Sequence, residues 1–99
     1  MMNKILAIHI LDSNNKKIDV DLIKDLQINL FKNGYSWIND GNKVDTYIFN
    51  DYIVIINDNM YTMSLNNINY LSKEEDVEVK IIDSMSYFRY LKLKKLDLI

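Results

Sequence analysis

The chain has 99 residues, 48% of them apolar, with 12 basic and 14 acidic side chains and a formal net charge of -2. That length fits one small domain, that mixture belongs to a folded protein, and that charge builds neither a basic field for nucleic acid nor an acidic imitation of one. The absence of cysteine rules out disulfides and thiolate metal sites, and a reducing cytoplasm suits such a chain.

The first predicted element is a strand in "KILAIHIL". Leu6, Ile8 and Ile10 alternate with Ile5, Ala7, His9 and Leu11, so both faces are apolar and a central, buried strand is expected. The apolar run is about half the length that crosses a bilayer, which argues against a membrane role. "DSNNKK" supplies turn formers that end it.

A helix follows. Asp19 is placed to cap it, Asp21 adds favourable charge in its first turn, and Leu22, Ile23, Leu26, Leu30 and Phe31 share one side. Asn33 and Gly34 form its stop, because the residue beyond a helix C-cap often needs a positive φ that glycine adopts freely. Tyr35 and Trp37 then point to one side of an emerging strand, Tyr35 able to pack back on Leu30.

Asp40-Gly41 predicts a tight turn, and "VDTYIF", "YIVII" and "MYTM" read as three antiparallel strands broken at Asn50-Asp51 and around Asn57 to Asn59. If Asn50-Asp51 is a two-residue turn, Val44, Thr46, Ile48, Ile53 and Ile55 share one face. Tyr47, Phe49, Tyr52, Val54 and Ile56 share the other. "SLNNINYL" reads as a helical turn or ordered loop, "SKEED" as a solvated cluster, and "VEVKII" as the last strand. In "DSMSYFRYLKLKKLDLI" a helix capped at Asp83 or Ser84 is favoured over an added strand. The expected architecture is a single α+β domain over residues 1–99, with a core at 4–83 and a C-terminal segment at 84–99. It combines an antiparallel sheet of about five strands, one main helix on one face and a C-terminal helix.

A helix about 10 Å across covers roughly two strands spaced about 4.8 Å apart. The first helix therefore roofs one face only, and the face bearing Tyr47, Phe49 and Tyr52 needs another cover. Either the C-terminal segment or a second protein chain would supply it, the latter as a homodimer or a partner complex anchored by aromatic residues. Tyr35, Trp37, Tyr47, Phe49 and Tyr52 are the candidate partner-binding residues, with Trp37 readable as core or as interface.

Catalytic constellations are missing. His9 is the single histidine and sits among isoleucines, which suits a structural role. "DVD" and "NDN" lack the continuation of a calcium loop, and Arg89 alone cannot clamp phosphate. No enzymatic activity, metal or cofactor is expected, and nucleic acid is disfavoured as a partner.

"LFKNGYSW" followed by "YIFNDYIVIINDNMYTM" resembles small accessory proteins of tailed bacteriophages, in which a helix ends in a G-Y-x-W element and a β-meander follows. Leu30, Gly34, Tyr35 and Trp37 carry the resemblance, over roughly Asp19 to Asp83. It implies a viral protein in the host cytoplasm that inhibits or adapts a host defence protein by occupying its surface, as anti-CRISPR proteins do. The alternative is a small-molecule binder that sequesters a nucleotide immune signal.

Overall fold

The computed structural model describes residues 3–95. In chain order these form β1 (Asn3–His9), α1 (Val20–Lys32), β2 (Ser36–Trp37), β3 (Tyr52–Ile56), β4 (Asn59–Met63), α2 (Leu65–Ser72), β5 (Val77–Asp83) and α3 (Ser84–Lys95). The class is α+β, and the C-terminal segment is a helix. Residues 96–99, the tail of the predicted last element, lie outside the described residues.

The five strands lie in the order β2-β4-β3-β1-β5. β1 pairs antiparallel with β3 and parallel with β5, while β4 pairs antiparallel with β3 and parallel with β2. The sheet is therefore mixed, which corrects the antiparallel expectation. The physical reason is that two connections, β1 to β2 and β4 to β5, pass through helices, and a helical crossover returns the chain in its original direction. These crossovers run in opposite directions across the sheet, so crossovers of one hand place their helices on opposite faces.

On one face Ile23, Leu26 and Leu30 of α1 pack over Ile8, Ile53, Ile55 and Met60, and α3 returns to the same side with Tyr87, Phe88 and Leu91. On the other, Ile68 and Leu71 of α2 cover Ile5, Ala7, Tyr52 and Val54. The second cover within the chain thus comes from α2, not from the C-terminal segment. Fully burying such a side chain stabilises by about 1.5–3 kcal/mol, so an eight-residue helix suffices to roof two central strands.

The helix stop forms as the sequence implies. Asn33 caps α1, Gly34 has φ 94, and the N–H groups of Gly34 and Tyr35 donate to Phe31 and Leu30 carbonyls at 3.0 and 3.1 Å. That double bond pattern is a Schellman motif. Further on, Asn57 and Asp58 have φ 50 and 67 and close the β3-β4 hairpin in two residues. This register buries Met60 on the α1 side and sets Met63 opposite Tyr52 on the α2 side.

Residues 43–51 are not a strand. The place beside β3 that a strand joined to it by a turn at Asn50-Asp51 would take is occupied by β1, and the segment runs instead as a loop beside α1. The sorting of β3 side chains between the two faces holds, but Tyr47 and Phe49 do not join Tyr52 on a sheet face.

Candidate functional site: the Tyr47 to Phe49 loop

The five candidate binding residues fall into two groups. Tyr35 and Trp37 are half-buried against the α1 side of the core, and Tyr52 is buried on the α2 side with its ring stacked on His9 at 4.8 Å. These three serve the fold. Tyr47 and Phe49 are 75% and 79% exposed, with buried Ile48 between them.

The loop carrying them is held at both ends and in the middle. At its start, the side-chain amide of buried Gln27 accepts from the Asp45 N–H at 2.8 Å and donates to the Asp45 carbonyl at 2.7 Å. The Trp37 indole N–H also donates to Gln27 Oε1, at 3.1 Å. Asp45 Oδ1 then accepts from the Tyr47 N–H at 3.0 Å, a local turn that fixes the next two residues. Ile48 inserts into the core beside Ile18 and Ile23.

At its end, Lys17 Nζ donates to the Phe49 carbonyl at 3.1 Å and to the Asn50 carbonyl, and pairs with Asp51 Oδ1 at 3.0 Å. The Ile10 N–H donates to the Asp51 carbonyl at 2.9 Å, and Asn50 Nδ2 donates to Thr62 Oγ1 at 3.1 Å. Lys17 is itself positioned by a hairpin in which Leu11 bridges Lys17 and Asp12 Oδ1 accepts from the Asn14 and Lys16 N–H groups.

Between this loop and the start of α1 lies an open groove of about 540 Å³, lined by Leu11, Lys17, Val20, Tyr47 and Phe49 among others. Val20 is 47% exposed, so three apolar side chains stand in water together. Asp51 lines the groove as well, its carboxylate paired with Lys17, which also holds the Phe49 carbonyl. The groove is thus largely apolar, with one ion pair in its lining.

Two other depressions bear on chemistry. At the carboxyl ends of β1 and β5, a groove of about 640 Å³ is lined by His9, Asp12, Asp19, Asp83 and Ser84. Asp19 and Asp83 are engaged as helix caps, accepting from the Asp21 and Ser86 N–H groups, each at 2.8 Å, and Asp12 holds its own hairpin turn. The Ser86 hydrogen bonds, with Arg89 nearby, hold the Asp83 carboxyl below its ordinary pKa. A smaller cleft of about 260 Å³ gathers Tyr35, Lys80, Tyr87 and Tyr90, where burial pushes the Tyr87 phenol well above its usual pKa. Trp37, Tyr47 and Tyr52 do not line it. Among the described residues no group of histidine, cysteine, aspartate and glutamate could hold a metal ion, and no helix is long and apolar enough to cross a membrane.

Compared with known proteins, the chain matches no family model, no curated protein and no solved structure.

Gln27 and Lys17 escaped the sequence reading. Gln27 lies four residues from Ile23 and three from Leu30, on the buried side of α1, and a polar residue at that spacing signals a buried partner.

Proposed function

We propose that the chain is a non-enzymatic protein-binding module that docks on a partner protein through Tyr47 and Phe49. In keeping with its resemblance to phage accessory proteins, the partner is a host defence protein that the module inhibits or redirects in the host cytoplasm. The observation that carries this reading is the exposure of two large aromatic side chains, at 75% and 79%, on a loop pinned by Gln27, Ile48 and Lys17. Leaving a phenylalanine in water forgoes about 1.5–3 kcal/mol relative to burying it, and aromatic anchors dominate the energetics of many interfaces. Because the backbone is already ordered, little conformational entropy is lost on docking.

The test is capture from host lysate by the tagged chain and by a Tyr47→Ala/Phe49→Ala variant. The reading expects a stoichiometric protein retained by the first and lost by the second, with unchanged circular dichroism. Equal capture by both chains sinks it. Stabilisation of the chain by cyclic or linear nucleotides in a thermal shift, without any captured protein, favours the signal-sequestering alternative.

A further inference from the structure

The sheet has two unlike edges. β2 is two residues long, whereas β5 runs for seven and, among the described residues, pairs only with β1. Natural sheets guard such edges with charge, irregularity or a covering element, because their unpaired N–H and C=O groups recruit another strand. The guard on β5 has an unusual form.

The Asn3 N–H donates to the Asp76 carbonyl, and Asn3 stands opposite Val77 in the parallel ladder. In that geometry Asp76, Glu78, Lys80 and Ile82 turn their backbone groups towards β1, while Val77, Val79, Ile81 and Asp83 turn theirs away from the sheet. Side chains alternate as well. Val77 and Val79 pack on the α2 side, where Ile81 is 51% exposed, and Glu78 and Lys80 are exposed on the other side. Read outward from Val79, the segment "VEVKI" meets opposite charges one step away and apolar residues two steps away.

We propose that β5 is the interface of a homodimer, in which two copies pair antiparallel about a two-fold axis through Val79 and extend one sheet across both chains. Val79 faces the partner's Val79, and Val77 faces the partner's Ile81, as pairs that exchange both backbone hydrogen bonds. Glu78 faces the partner's Lys80 twice over, in the closer pairs without hydrogen bonds, where opposite charges stabilise and like charges repel. Sliding the axis to Lys80 sets that lysine against the partner's Lys80, and sliding it to Glu78 does the same with glutamates. Centring it between neighbouring residues turns the outward backbone groups out of register. Of the alignments within β5 that keep the outward groups in register, only this one sets opposite charges face to face, and it brings the exposed Ile81 against the partner's Val77.

This interface is separate from the Tyr47 to Phe49 loop, and the experiment keeps the two apart. Sedimentation of the full chain over a concentration series should show a dimer, retained by Tyr47→Ala/Phe49→Ala. Glu78→Lys and Lys80→Glu replace exposed side chains, so each variant should keep its circular dichroism spectrum while dimer dissociation becomes easier by about tenfold or more. Mixed together, the two variants should associate with each other, because each then supplies the charge that the other lacks. The amides of Val77, Val79 and Ile81 should become protected from hydrogen exchange as concentration rises. A monomeric wild-type chain, single variants that dimerise as tightly as wild type, or folded variants that fail to associate when mixed would each overturn the proposal.

Discussion

Gln27 bonds the backbone of Asp45 twice, its side-chain amide accepting the N–H and donating to the carbonyl, as a neighbouring strand would. A residue of α1 thereby substitutes for the sheet partner that residues 43–51 lack, and the loop that displays Tyr47 and Phe49 is ordered by a helix rather than by a ladder.

Gln27→Leu keeps the volume and removes the amide. It leaves the Asp45 backbone groups and the Trp37 indole N–H without that partner, and the expected loss is about 1–3 kcal/mol. Hydrogen exchange should quicken at Asp45 while the β3 amides keep their protection. Unchanged stability and exchange would show that the loop is ordered by other means.

Gly34→Ala isolates backbone strain. Nothing lies within 4 Å of the site where a Cβ would stand, but φ is 94, so the cost of about 1 kcal/mol or more is conformational and not steric. Urea midpoints that coincide for wild type and variant would contradict the helix-stop assignment.

Asp83 couples α3 to pH. Its two carboxylate oxygens accept from the Ser86 N–H and hydroxyl, each at 2.8 Å, and its pKa lies below the ordinary 3.8 in the folded chain. The ionised cap therefore contributes fully above that ordinary value, and its contribution fades as pH falls through the lowered folded value. Asp83→Ala should cost about 1 kcal/mol at neutral pH, and the gap between the two chains should close in acid. A gap that persists in strong acid would mean that the carboxylate charge does not matter to the cap.

Much of the fold is readable from local chemistry. β1 shows apolar residues on both faces because it lies between β3 and β5 under helices on both sides, and the α1 stop at Asn33-Gly34-Tyr35 depends only on its own turn. "YIVII" and "MYTM" pair as expected because Asn57 and Asp58 both accept a positive φ. The failures are tertiary. "VDTYIF" has the composition of a strand, but β1 takes its place beside β3 and Gln27 takes its backbone at Asp45. "SLNNINYL" reads as no more than one helical turn or an ordered loop because asparagine is a poor helix former, yet Ser64 accepts from the Asn67 N–H at 3.4 Å and Ile68 and Leu71 bury one side, so packing extends the turn to eight helical residues. The parallel pairings depend on where the crossover helices land, which no short stretch encodes. Of the candidate site, Tyr47 and Phe49 are recoverable as aromatic residues in alternation with Ile48. Their display on a loop, apart from Tyr52, is not.

The division of labour within Tyr47, Ile48 and Phe49 decides whether a docking surface exists, and chemical denaturation measures it directly. Tyr47→Ala/Phe49→Ala should move the unfolding free energy by less than about 0.5 kcal/mol, as surface substitutions do, whereas Ile48→Ala should lose about 2–5 kcal/mol. A double variant that is destabilised as much as Ile48→Ala would show that the two rings belong to the packed interior, and the docking surface would not exist.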